Sequence, residues 1–163
     1  MASEAISSSI MIIGAVLGAA VLITAILPAI FSAGDTFGTV SSSAEQKLKT
    51  DFRIVNTYTA GGTEVQVWMK NVGNNRISTY DIEISDVFLG IGSEYGRLGY
   101  DAGGAIGTFK CNPIPADGYW DVGETLEIFI TNTGMDPITV NEVVSFTFTL
   151  PNSVRRSVTF SLT

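Results

Sequence analysis

The hydrophobic pattern divides the chain into three stretches. From Ile10 to Phe31 the residues are almost all apolar, and no charge occurs between Glu4 and Asp35. A helix of that length rises roughly 33 Å, enough to cross the hydrocarbon core of a bilayer. In water so apolar a helix needs other protein to hide it, whereas in lipid it satisfies its own backbone polar groups. From Gly34 to Thr50 the apolar positions Phe37, Val40, Ala44 and Leu48 recur at helical spacing among Ser41, Ser42, Ser43, Glu45, Gln46, Lys47 and Lys49. This predicts a polar helical extension or serine-rich stalk, with helix from Thr39 to Lys49.

After Asp51 the period falls to two. Phe52, Ile54 and Tyr58 outline a first strand, with a turn expected near Asn56. Val65, Val67 and Met69 alternate with Glu64, Gln66, Trp68 and Lys70, the clearest strand pattern in the chain. Val72-Gly73-Asn74-Asn75 reads as a turn. Ile77, Tyr80, Ile82 and Ile84 predict a third strand, and Val87-Phe88-Leu89 a short one. Gly90 to Gly107, with seven glycines and Tyr95 and Tyr100, predicts a long surface loop or a binding loop, without a phosphate-loop pattern.

Thr108 to Cys111 predicts another short strand, before a turn at Asn112-Pro113-Ile114-Pro115. Tyr119 to Glu124 is expected to turn around an aromatic anchor. Leu126, Ile128 and Ile130 form a strand before turns at Asn132-Thr133-Gly134 and Asp136-Pro137. Val144, Phe146, Phe148 and Leu150 share one face of a strand opposite Ser145, Thr147 and Thr149. Pro151-Asn152-Ser153 then leads into Val154, Arg156, Val158, Phe160 and Leu162. The expected architecture is a long hydrophobic N-terminal α-helix (a transmembrane segment or a filament core), followed by an all-β immunoglobulin-like antiparallel sandwich. The expected segments are 1–33 for the hydrophobic helix, 34–50 for the polar extension and 51–163 for the sandwich.

Within the helix, Gly14-Ala15-Val16-Leu17-Gly18 is a small-xxx-small pattern. Gly14 and Gly18, with Ala15, let helix backbones approach closely, so self-association through this helix is expected. The bland alternative is that Gly and Ala are simply common in membrane helices. Glu4 suits the positive end of the helix dipole, and in a bundle it would pair with a neighbour's terminal amine; a solvated Glu4 is the other reading. Pro28 lacks an N–H and crowds the preceding turn, which predicts a kink or a loosened last turn.

Composition narrows the function classes. The net charge of −7 argues against nucleic acid and against an anionic lipid surface. Histidine is absent, which removes the commonest general base and transition-metal ligand. Cys111 is alone, so no intrachain disulfide forms. The first residues carry Glu4 and no basic residue, and the apolar run exceeds a signal-peptide core, so a retained anchor is expected. Lys47 and Lys49 lie about 16 residues or more past Phe31 and mildly favour the unusual orientation, so charge does not fix the topology. Two acidic groups are candidate calcium ligands, Asp81, Glu83 and Asp86, and Asp117, Asp121 and Glu124. Neither has EF-hand spacing, and solvated loop charge is the default. No catalytic, metal or cofactor site is expected, and an enzyme is disfavoured.

The start Met1-Ala2-Ser3-Glu4-Ala5-Ile6-Ser7, the Gly/Ala-rich helix and the β domain together resemble the archaeal flagellar (archaellum) stator family of FlaG type. The resemblance is carried by Ala2 to Ser9, Asp51-Phe52-Arg53-Ile54-Val55-Asn56, Val65-Gln66-Val67-Trp68-Met69-Lys70-Asn71-Val72-Gly73 and Asp86-Val87-Phe88. That family is related to FlaF and to archaellins and type IV pilins. The resemblance implies a non-catalytic motility component, anchored or polymerised through its helix in the archaeal cell membrane. It implies a single pass, with the β domain outside contacting a FlaF-like partner and the surface layer. Two alternatives stand beside it: a pilin- or archaellin-like subunit of a surface filament, and an anchored ligand- or calcium-binding β module. The absence of a basic leader before Ala2 weighs against the filament subunit.

Overall fold

The computed structural model describes residues 2–112, 117–131 and 133–162. Pro113 to Pro115 and Asn132, parts of two expected turns, lie outside the described residues. The chain divides into two bodies, 1–44 and 45–163.

Helix α1 runs unbroken from Ala2–Lys49, so the apolar run and the polar extension belong to one element of 48 residues. Hydroxyl groups that would be unsatisfied in lipid bond back to the helix itself: Ser9 Oγ donates to the Ala5 carbonyl at 2.8 Å and Thr24 Oγ1 to the Ala20 carbonyl at 2.6 Å. Pro28 lies inside the continuous helix, where it has no N–H to offer the Thr24 carbonyl one turn earlier. Glu45 and Lys49 form an i,i+4 pair in the last turn.

The second body is built from strands β1 (Phe52–Tyr58), β2 (Val65–Asn71) and β3 (Ile77–Ser78), then helix α2 (Thr79–Glu83). It continues with β4 (Asp86–Ile91), β5 (Glu94–Tyr100), β6 (Thr108–Asn112) and β7 (Tyr119–Trp120). It closes with β8 (Thr125–Ile130), β9 (Val143–Thr149) and β10 (Arg155–Ser161). The strand order is β1-β2-β8-β6-β5-β4-β9-β10, with β3 and β7 as a separate ribbon. Every pairing is antiparallel except β5 with β6, which is parallel at Gly99–Thr108 and Tyr100–Phe109. The long sheet therefore reads as two antiparallel four-stranded halves joined at this short parallel seam.

Alternation decides which residues face inward. Val65, Val67 and Met69 of β2 and Leu126, Ile128 and Ile130 of β8 form the inner face of one half. Val87, Leu89 and Ile91 of β4 and Val144, Phe146 and Phe148 of β9 form that of the other. All belong to one buried cluster, which also takes in Phe52, Phe109 and Trp120. Phe52 meets Phe148 edge to face at 5.4 Å between ring centres, which joins β1 to the opposite half.

The sandwich expected from the sequence is present, with three differences in detail. The first strand does not turn at Asn56. It carries a bulge between Ile54 and Asn56 and stays paired to Tyr58. The third expected strand is only the pair Ile77–Ser78, after which the chain turns into α2. Ser78 caps that helix, its Oγ accepting from Tyr80 N–H, so Ile82 is buried while Tyr80 and Ile84 stay exposed. The third difference is the glycine-rich tract. Gly90 and Ile91 complete β4 and Glu94 to Tyr100 form β5, so most of the expected loop is a hairpin. A Cβ on Gly90 would lie 2.5 Å from Ser145 Oγ on the neighbouring strand β9 and 2.9 Å from the Tyr95 ring on β5, so a side chain at this position would crowd both. Gly92, at φ 56, turns the hairpin in two residues.

Candidate assembly site

The residues singled out for assembly all lie on α1. Gly14 and Gly18, one helical turn apart, have no atom within 4 Å of where a Cβ would stand. Both are exposed, as are Ala15 between them and Glu4 in the first turn. Around them Ile10, Met11, Ile13, Val16, Leu17 and Val21 are exposed on all sides. The helix thus offers an apolar surface in every direction, with one shallow strip of small residues.

The sandwich brings together no catalytic constellation among the described residues. Asp86, of the first acidic group, is paired to Arg97 at 2.6 Å. In the second group, Asp117 Oδ1 accepts from Tyr119 N–H and Glu124 Oε2 from Asp121 N–H, so both carboxylates brace their own turn. No three His, Cys, Asp or Glu side chains converge on a point that would hold a metal ion, among the described residues. Cys111 is buried under β8, and burial pushes its thiol up to about 12, so it is a protonated, unreactive core residue at neutral pH.

One polar side chain in the core was not anticipated from the sequence. Asn71, fully buried at the end of β2, uses its whole side chain. Its Nδ2 donates to the Asn75 carbonyl at 2.9 Å and to the Trp120 carbonyl at 3.0 Å, and its Oδ1 accepts from Gly73 N–H at 3.0 Å. Its backbone pairs with the next turn, N–H to the Glu124 carbonyl and carbonyl to Gly123 N–H. The signal was an Asn within a turn-forming run, Asn71-Val72-Gly73-Asn74. That pattern marks a turn but does not say that the amide is buried.

The profile of archaeal-type flagellin matches residues 2–160. An uncharacterised protein of Archaeoglobus fulgidus is 33% identical over 99% of both chains. Among solved structures, the archaellum periplasmic stator protein FlaG of Sulfolobus acidocaldarius is 21% identical, covering 68% of this chain and 99% of its own, at a TM-score of 0.56. The complex of FlaF and FlaG from that organism matches at the same TM-score, with 20% identity over 67% of this chain and 87% of the matched one. The archaeal flagellum of Methanospirillum hungatei is 14% identical and covers 97% of this chain and 93% of its own, at a TM-score of 0.73. The fold neighbours are structural parts of the archaellum, and the profile spans both the helix and the sandwich: the chain belongs to the archaeal-type flagellin family.

Proposed function

We propose that this chain is a non-catalytic structural component of the archaellum, acting as a static part against which the filament turns. In this reading the segment Ile10–Phe31 of α1 crosses the archaeal cell membrane once. The sandwich lies outside, where it contacts a FlaF-like partner and the surface layer. The observation that carries the reading is the pairing of a helix whose Ile10–Phe31 segment is apolar and uncharged with a sandwich that matches nearly the whole of the stator protein FlaG. The Gly14, Ala15 and Gly18 strip serves self-association within that assembly, and Glu4 lies where a neighbour's terminal amine would meet it. Pro28 lies where a kink would set the angle of the last membrane turns.

A second reading, a filament subunit, draws on a separate observation. The match to the Methanospirillum hungatei flagellum extends over the helix as well as the sandwich. Cross-linking in intact cells separates the two. Single cysteines placed on the exposed outer face of β10, at Ser157 or Thr159, report neighbours of the sandwich. The stator reading expects adducts to a FlaF-like protein and to surface-layer protein. Adducts only to further copies of this chain, in a long ladder, would refute it.

A further inference from the structure

The junction between helix and sandwich carries a device of its own. Only Thr50 and Asp51 separate α1 from β1, yet neither acts as a flexible linker. Thr50 N–H and its Oγ1 both donate to the Gln46 carbonyl, at 3.0 and 2.8 Å, which extends the helical bonding by one residue. The Val72–Asn75 turn then closes over the same place. Asn74 N–H donates to the Lys49 carbonyl at 2.8 Å, and Val72 and Gly73 N–H both donate to the Asp51 carbonyl, at 3.0 and 2.8 Å. The first of these bonds gives a partner to a helix-end carbonyl that ordinarily goes to water or to a cap.

The approach is too close for any side chain at position 73. A Cβ on Gly73 would stand 2.5 Å from Asp51 N and 2.6 Å from the Lys49 carbonyl oxygen. The turn is itself fixed from below by the buried Asn71 amide, which ties it to Asn75 and Trp120. Phe52, the first residue of β1, is wedged between Trp120 and Phe148. Arg156 of β10 pairs with the Asp51 carboxylate from the far edge. The turn thus holds the end of the helix through one backbone donor, Asn74 N–H to the Lys49 carbonyl, and the adjoining Asp51 through two more, while Arg156 pairs with the Asp51 carboxylate and the buried Asn71 amide braces the turn itself.

We infer that the Val72–Asn75 turn, braced by Asn71, is a clamp that makes Glu45–Asp51 part of the sandwich, so that these residues do not act as a flexible linker. The value of such a clamp rests on the static-component reading, because a part that resists a turning filament must not yield at its joint. Its existence does not rest on that reading. Two free residues would swivel, whereas a turn held by paired amides opens only when the bonds around it break together.

Hydrogen exchange on the full-length chain in detergent micelles tests this. Val72 and Asn74 of this turn are exposed, while Gly73 is buried between them. Without a clamp the amides of all three exchange at the rate of open turns. With it they exchange at rates close to those of β8, as do Thr50 and Phe52. Gly73→Ala is expected to speed exchange over 50–52 and 72–74 at least about tenfold while leaving β8 and β9 unchanged. Arg156→Gln, which removes only the exposed ion pair, should change these rates less than twofold. Fast exchange of the turn amides in the unaltered chain overturns the clamp, whether or not the Gly73 variant folds. So does a folded Gly73→Ala variant with unaltered rates. If the clamp holds but the chain proves to be a filament subunit, the static-component reading fails and the joint remains.

Discussion

Cys111 shows how one buried side chain sets a pH limit on the fold. Burial is the main reason its thiol rises from the ordinary 9.0 to about 12, with the Glu83 carboxylate adding to it. The folded state holds this proton more tightly than the unfolded chain does, so the contribution is complete below about pH 9 and is lost as pH rises toward 12. Urea unfolding should therefore show stability level between pH 7 and 8.5. Above pH 9 it should decline by up to about 1.4 kcal/mol per pH unit. The Tyr100 hydroxyl, also raised chiefly by burial, acts in the same direction. Cys111→Ala should flatten the decline while leaving the part due to Tyr100; an unchanged slope would show that the thiol is not responsible. At neighbouring positions the expectation is purely one of packing. Phe146→Ala should cost about 3–5 kcal/mol by opening a cavity between the two halves. Gln66→Ala should stay within about 0.5 kcal/mol. Thr147, on the outer face of β9 but only 6% exposed, is a poorer control than alternation alone implies, because β4 and β10 cover it from both sides.

At the scale of elements, what the sequence showed and what it hid have physical causes. Val65 to Lys70 was legible because strict alternation leaves one face for the core and one for solvent. Helix α1 was legible because its apolar run has no charge and its extension keeps the helical period. The third strand was misread because Tyr80, Ile82 and Ile84 also alternate. The stop signal was the single cap at Ser78, and only packing shows that Ile82 alone is buried. The Gly90–Tyr100 hairpin was misread because its glycines lower strand propensity. Their reason lies on another strand, in Ser145 above Gly90, and in Met135 beside Gly96. That Gly14, Ala15 and Gly18 are small residues on exposed faces of α1 needs no fold to be seen; their role in self-association is a proposal. The bonding of the Val72–Asn75 turn was not legible, because Asn71 reaches the Trp120 carbonyl and Asn74 the Lys49 carbonyl, both from distant parts of the chain. For the strip, replacing Gly14 and Gly18 with Leu should weaken oligomers in lipid about tenfold or more, with the sandwich still folded by its far-ultraviolet spectrum. An unchanged oligomer size by cross-linking would remove the strip from the interface.

At the scale of the whole molecule, the chain joins an apolar helix to a sandwich without a catalytic constellation among its described residues, in a family whose known members here are structural. Both the anchored static part and the filament subunit need the same helix, since lipid and a filament core pose the same demand for a self-satisfied apolar rod. The two differ in what surrounds that rod. A static part keeps its helix in lipid and is present in few copies; a filament subunit leaves the membrane and is present in many. The most direct measurement is therefore to shear filaments from motile cells and quantify this chain in the two fractions. The static part should stay with the cell envelope, extracted only by detergent and in small stoichiometric amounts beside a FlaF-like protein. Recovery of most of the chain in the sheared filaments, as their repeating subunit, would contradict that reading.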